Sequence, residues 1–338
     1  MTIPLIVTGL LVLGVIFVNG WTDAPNAIAT VVSTRTLNIR TAVLMAAVMN
    51  LLGAFISTLT GAKVAATILN MVDFSAAPSL PANAPQIALA ASLFSIVVWA
   101  VAAWYFGIPT SESHALIAGL TGSAISLGGL EAIKFDEWVK VLYGLAASLF
   151  IGFVGGVIIT KIIVLIFQGV ARRAANRFFT IGQVFGAAAN AYLHGAQDGQ
   201  KFMGVFMLAL TLNGVAKEGA PIPIWLIILC ALIMGLGTSV GGEKIIKSVG
   251  MDMVKLEKYQ GFSADVATAI CIQLMTSLGI PVSTTHAKTT AIMGVAASRR
   301  MSSLDLGIVK DMVLAWVLTF PGCGIIAYFM SRLFVMIF

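Results

Sequence analysis

The sequence predicts an all-α polytopic membrane protein of two inverted repeats, each with a broken helix and a re-entrant helical hairpin. Three observations lead there. Of 338 residues, 59% are hydrophobic and 10% charged; mean hydropathy is +0.99, and apolar runs of roughly the 20 residues a bilayer crossing needs recur throughout. The stretch Gly107-Ile-Pro-Thr-Ser-Glu-Ser-His114 returns as Gly279-Ile-Pro-Val-Ser-Thr-Thr-His286. The segments around the two copies follow one plan, with 86 positions from Asp23 to Pro109 and 83 from Asp198 to Pro281.

Taken in order, Ile3 to Val18 is apolar until Asn19-Gly-Trp-Thr-Asp-Ala-Pro-Asn26 interrupts it, and apolar character resumes as far as Val32. Proline cannot donate to the helix ladder and crowds the preceding turn, so a broken helix is expected over 3–33. The run leads into Asp23 with no cleavage-site pattern and reads as a retained membrane helix. Thr41–Leu59 is a clean span. Lys63–Pro85 is mixed, a loop with at most one surface helix. Gln86–Phe106 enters the first Gly-Ile-Pro element, apolar onward to Gly129, so a hairpin is expected over 86–129. A charged turn precedes the long span Trp138–Gln168, and Arg172, Arg173 and Arg177 follow.

The plan then restarts. Phe178–Leu193 is apolar and is interrupted by His194-Gly-Ala-Gln-Asp-Gly-Gln-Lys201, which predicts a second broken helix over 178–213. Ile222–Val240 is the clean span and Glu243–Gln260 a lysine-rich loop. Ser263–Leu278 leads into the second hairpin, 263–298, and Leu306–Phe338 closes the chain. The repeats are placed at 1–170 and 171–338.

Four crossings per half would make the halves parallel; three, with each hairpin tip reaching the midplane, make them inverted. In the inverted arrangement one side holds twelve basic residues: Arg35, Arg40, Arg172, Arg173, Arg177, Lys244, Lys247, Lys255, Lys258, Arg299, Arg300 and Lys310. The other holds five, Lys63, Lys134, Lys140, Lys217 and Arg332. Cytoplasmic loops carry the excess of Lys and Arg, so both termini are expected outside, in a multi-pass protein of the plasma (inner) membrane. No basic patch is interleaved with aromatics, so no nucleic-acid partner is expected. Cys230, Cys271 and Cys323 lie inside apolar runs, which suits packing rather than disulfides or a metal cluster.

Few ionisable groups fall at membrane depth. They are Asp23, Glu112, His114, His194, Asp198, Lys201, His286 and Lys288, with Lys161 and Asp265 nearer an interface. A charge at mid-bilayer costs about 2.5–3.5 kcal/mol on insertion scales, which makes such groups functional candidates; mutual pairing inside the bundle is the plainer alternative. Asp23 and Asp198 occupy matching interruptions. A carboxylate beside unwound carbonyls and the Asn26 amide is a hard oxygen site for Na+ or a proton. The hydroxyls Thr110, Ser111, Ser113, Ser283, Thr284 and Thr285, with two helix N-termini, suit a tetrahedral oxyanion. Arginine is missing from the set. Neutralisation therefore falls to helix dipoles, co-bound cations and Lys201 or Lys288, and an anion and cations sharing one seat each lower the cost of the other. The histidines either take part or lock the hairpin tips as Nδ1–H donors.

At these residues the chain resembles the PiT family of inorganic phosphate transporters. Asn-Gly-Trp-Thr-Asp-Ala-Pro-Asn-Ala-Ile-Ala-Thr (19–30) and His-Gly-Ala-Gln-Asp-Gly-Gln-Lys-Phe-Met-Gly (194–204) are similar to its two Asp-containing motifs. Residues 107–117 and 279–286 are similar to its hairpin tips, and the resemblance runs over nearly the whole chain. It implies phosphate symport driven by Na+ or H+, inverted repeats, two re-entrant hairpins and a homodimer in lipid. The hairpin hydroxyls would bind phosphate, and Asp23, Asn26 and Asp198 would serve the cation. No cofactor beyond that cation is expected.

Three residues depart from the family pattern. Glu112 stands where a small hydroxyl residue is usual, Gln197 where Asn is usual, and Lys288 is unexpected so close to the site. A Glu112–Lys288 ion pair would account for two departures at once; a protonated Glu112, or Glu112 as a further cation ligand, are the other readings. Of rival functions, a sulfate or metal-phosphate symporter shares the same seat. A Ser/His hydrolase would use Ser113–His114 or Ser111–His286, and a passive anion channel gives no reason for twin carboxylates.

Overall fold

Proline and glycine set where the helices stop. The computed structural model describes residues 3–73, 81, 83–108, 110–299 and 304–338; Pro109 and Arg300 lie outside the described residues. The helices are α1 (Ile3–Thr22), α2 (Pro25–Ser33), α3 (Ile39–Thr60), α4 (Lys63–Leu69), α5 (Ala84–Phe106), α6 (Glu112–Gly128) and α7 (Phe135–Phe167). Then come α8 (Arg172–Leu212), α9 (Ile224–Val240), α10 (Glu243–Lys247), α11 (Lys258–Leu278), α12 (Thr284–Ala297) and α13 (Leu306–Ile337). Among the described residues no strand forms beyond one isolated bridge, Val72 to Ile133. Within the described residues, seven segments are long and apolar enough to cross a membrane, or eight with the bent pair α9–α10. The protein is a polytopic all-α membrane protein.

The first interruption is where the sequence puts it. α1 and α2 are separated by Asp23 and Ala24, with Pro25 opening α2 where its missing N–H is harmless. The second is a correction: α8 is one unbroken helix through His194–Lys201, so the broken helix expected over 178–213 does not exist. That stretch contains glycines but no proline. Gly195 and Gly199 instead let α3 approach, since a Cβ on them would meet Asn50 and Ala54. The bend falls later, where α9 and α10 meet at 66° around Gly241, whose φ is +76°.

The hairpins are twins. α5 ends at Gly107 (φ 70°) and α11 at Gly279 (φ 72°), both in the left-handed region that glycine tolerates. The returning helices start on Ser111 and Ser283, whose hydroxyls accept from the His114 and His286 amides. Packing is paired across the halves as well. α3 lies on α8 as α1 lies on α9, and α6 on α13 as α12 on α7. Each contact uses glycine where backbones touch: Gly53 and Gly195 between α3 and α8, Gly20 and Gly237 between α1 and α9, Gly122 for α6–α13, and Gly152, Gly156 and Gly294 for α7–α12.

Two further expectations change. The 63–85 loop was expected to carry at most a surface helix, yet α4 buries Val64, Ala65, Thr67 and Ile68. The lysine-rich loop 243–260 folds inward through Ile245, Ile246, Val249 and Met253. Outward, α7 exposes Leu142, Tyr143, Phe150, Ile162 and Leu165, and α13 exposes Val313, Val317, Ile325 and Phe329. This inside-out distribution is what hydrocarbon solvates.

The glycine contacts can be tested. A Cβ at Gly53 would run into the Tyr192 carbonyl, which is backbone and cannot step aside, whereas one at Gly14 meets nothing within 4 Å. Gly53→Val is expected to destabilise by about 1–3 kcal/mol or more, and Gly14→Ala to be neutral or slightly stabilising. Thermal unfolding in detergent measures both.

Candidate ion-binding site

The α1–α2 interruption, the middle of α8 and both hairpin tips converge. Asp23 Oδ1 accepts from Asn26 Nδ2 at 2.8 Å and from the Thr285 hydroxyl at the second tip. Asn26 Nδ2 also reaches Thr285 Oγ1 at 3.1 Å. Thr22, one position before Asp23, donates to Glu112 Oε1 at the first tip. Asn19, one helical turn earlier, donates to Asp198 Oδ2 at 3.2 Å. Asp198 is further held by Lys201 Nζ at 2.6 Å and lies 3.3 Å from His194 Nε2. Asp23, His194 and Asp198 each offer a ligand atom within 4.8 Å of the others.

The tips also meet each other. Lys201 Nζ donates to Ser113 Oγ of the first (2.7 Å) and to the Val282 carbonyl of the second (2.5 Å). Ser113 Oγ lies 3.2 Å from the same carbonyl, and Thr285 Oγ1 lies 3.5 Å from the Thr110 carbonyl. The His114 and His286 rings meet edge to face at 4.3 Å, backed by Phe320 and Trp316 of α13. The histidines therefore wedge the two tips against α13 through their rings, and the expected Nδ1–H lock is not what holds His286, whose ring nitrogens have no hydrogen-bond partner among the described residues. Thr284 is buried with its hydroxyl unpaired, while Thr110 is half-buried at the rim. Gln197 braces the second tip, donating to Thr276 Oγ1 (3.1 Å) and the Ile280 carbonyl (3.3 Å).

Lys288 departs from expectation. It pairs with Asp265, not Glu112, and also donates to Thr30 Oγ1 at 3.1 Å. The reason is geometric: four residues into α12, its side chain faces α2 and α11 rather than the tip. Asp265, expected nearer an interface, is fully buried at this pair. His194 continues outward through its Nδ1 to Asn50 Oδ1 (3.0 Å), and Asn50 Nδ2 to Thr238 Oγ1 (2.8 Å). Asn19, Thr22 and Thr30 entered the sequence reading only as members of the 19–30 motif, without roles of their own, and Asn50 and Thr238 were missed. Their signal was there, since Asn50 is a lone amide in an apolar span.

Among the described residues four carboxylates are thus buried, Asp23, Glu112, Asp198 and Asp265, against two lysines. Asp198 and Asp265 hold the lysines; among the described residues Asp23 and Glu112 form no ion pair. Among the described residues no donor reaches Asp23 Oδ2, Glu112 Oε2, Asn19 Oδ1 or Asn26 Oδ1. All four are acceptors. Buried unsatisfied acceptors of this kind are costly and match the needs of a hard cation or a proton.

Membrane-length helices around an ionic interior define a transporter of charged solutes. The chain belongs to the phosphate transporter family, whose model matches residues 19–172 and 167–327. It is 41% identical, over 98% of its length and 99% of the relative's, to the probable low-affinity inorganic phosphate transporter of Bacillus subtilis (strain 168). It is 37% identical to that of Rhizobium meliloti (strain 1021), over 92% and 90%. Among solved structures it resembles one titled the sodium-dependent phosphate transporter, with a TM-score of 0.82 and 21% identity over all of both chains. The family is one of transporters, which sets aside the hydrolase.

Proposed function

We propose that the protein carries inorganic phosphate across the membrane by symport with Na+ or H+. One observation carries the coupling: Asp23 and Glu112 are buried without a basic partner, beside the seat meant for an anion. Bringing a dianion next to two uncompensated carboxylates requires cations or protons to come with it. The phosphate oxygens would be taken by Ser111, Ser113, Ser283, Thr284 and Thr285 and by the N-termini of α6 and α12, with Thr110 at the rim. Asp23, Asn26 and Asp198 would serve the cation, joined by Asn19 and Glu112 through their free oxygens. Phosphate is favoured over sulfate by the family and by chemistry, because phosphate can donate a hydrogen bond to a carboxylate and sulfate cannot. Radiolabelled phosphate uptake into proteoliposomes, with Na+ and pH gradients imposed separately, is expected to follow one of them and to resist excess sulfate. Uptake indifferent to both gradients would refute symport.

The paired packing of the helices supports two repeats, 1–170 and 171–338, and the basic asymmetry supports their inversion, with re-entrant tips and both termini outside the plasma membrane; the homodimer rests on the family resemblance alone. Single cysteines at Lys63 and Lys217 are then expected to react with an impermeant maleimide added outside, and one at Lys255 not. Outside labelling at position 255 reverses the orientation.

A further inference from the structure

The two buried lysines share a setting that the transport reading does not require. Lys201 Nζ is surrounded by a carboxylate oxygen (Asp198 Oδ1, 2.6 Å), a hydroxyl (Ser113 Oγ, 2.7 Å) and a backbone carbonyl (Val282 O, 2.5 Å). Lys288 Nζ has the same three kinds of partner: Asp265 Oδ1, Thr30 Oγ1 at 3.1 Å and the Ala27 carbonyl at 3.5 Å. Both residues are 1% exposed. Lys201 lies on α8 and Lys288 on the tip helix α12, and each cage is assembled from separate parts of the chain: α8, α6 and the turn before α12 for the first, and α11 and α2 for the second. An ammonium has three N–H donors and no acceptor, so each cage satisfies it fully. A carboxylate, a hydroxyl and a carbonyl are also the hard oxygen set that an alkali cation takes from a protein.

We propose that Lys201 and Lys288 are tethered cations, filling two oxygen cages that would otherwise take a mobile monovalent metal ion. The inference rests on the symport reading and deepens it, because it limits where the coupling ion goes. Two of the four buried carboxylates are permanently neutralised by the chain itself. The uncompensated charge that draws in the cation or proton travelling with phosphate therefore lies on Asp23 and Glu112, and Asp198 faces that ion only through its second oxygen, Oδ2.

Removing the ammonium and leaving the cage should therefore create a metal site. Lys288→Ala, purified in detergent without phosphate, is expected to melt below the parent protein in choline chloride. It should regain roughly 3 °C or more when Na+, Li+ or K+ replaces choline at constant ionic strength, with a preference among the three set by cage size. The parent protein is expected to show a smaller shift under the same exchange. Adding Asp265→Asn to Lys288→Ala is expected to abolish the extra recovery. Lys201→Ala, with Asp198→Asn as its control, is the independent second case. The proposal is overturned if neither lysine variant responds to an alkali cation more than the parent does, or if the response survives loss of the cage carboxylate. It is also overturned if neither variant folds in any of the three salts, since an occupied cage should restore folding. No phosphate is present, so the result stands apart from transport: parent protein that takes up no phosphate would remove the symport reading and leave the cages as measured.

Discussion

Asp23→Asn is expected to leave a folded protein that no longer accumulates phosphate along a cation gradient. The carboxylate is held by Asn26 and Thr285, both neutral, so no buried ammonium is stranded when its charge goes. An asparagine oxygen can still accept from either. What disappears is one of the two uncompensated charges that make cation and phosphate depend on each other. Coupling between two ligands is typically worth 1–3 kcal/mol, or about 5–150-fold in affinity. Phosphate binding in saturating cation is expected to weaken by that factor and to lose its dependence on cation concentration. Titration calorimetry reads the first effect and proteoliposome uptake the second. Asp198→Asn should behave differently although the sequence sets the two residues in matching motifs. It strands Lys201, whose pair with Asp198 spans 2.6 Å inside the bundle, and breaking one side of a buried pair costs about 3–5 kcal/mol. Its first symptom is lost stability. An Asp23→Asn protein with unchanged cation dependence would take Asp23 out of the coupling site.

The features that could be read in advance are those decided locally. Gly107 and Gly279 stop helices through their own backbone conformation, and Ser111 and Ser283 restart them through a contact three residues away. A Gly-Ile-Pro-x-Ser stretch carries all of that within a few positions, so both tips and their hydroxyls were legible. Pro25 likewise marks the α1–α2 break. The interruption expected in α8 failed because polarity was taken for disorder of the helix. His194, Gln197, Asp198 and Lys201 are polar because α8 runs through the ionic interior, and its backbone bonds stay intact. The glycines there answer to α3 rather than to a turn. The Lys288–Asp265 pair was out of reach for another reason. It depends on which face of α12 turns to α2, and the contact with Thr30 spans 258 positions. Two departures from one family pattern suggest a partnership between Glu112 and Lys288; Lys288 sits about one helical turn deeper in its tip helix than Glu112 does in its own, and that displacement gives each a different neighbour.

That difference yields a sharp result in a double-mutant cycle. Lys288→Met alone is expected to cost about 3–5 kcal/mol, because it strands the Asp265 carboxylate in the bundle core. Asp265→Leu alone should cost a similar amount by stranding the ammonium. Neither group faces water: Asp265 is 0% exposed and Lys288 1%. The Asp265→Leu/Lys288→Met protein removes both charges and replaces them with apolar side chains in a site next to Ala27 and Ala264. Such replacements are often neutral and sometimes stabilising. Most of the loss should therefore be recovered, leaving a coupling term of several kcal/mol, far above the few tenths expected of independent sites. Thr30 limits the recovery, since its hydroxyl now donates to Asp265 Oδ1 at 2.7 Å and would have to turn to its own helix. The matching cycle between Glu112→Ser and Lys288→Thr is expected to be additive within about 0.5 kcal/mol. Glu112 accepts from Thr22 on α1, and Lys288 is engaged with α2 and α11. Denaturant or thermal unfolding in detergent measures both cycles. Additivity in the first with coupling in the second would return Lys288 to Glu112 and move the fixed positive charge into the anion seat.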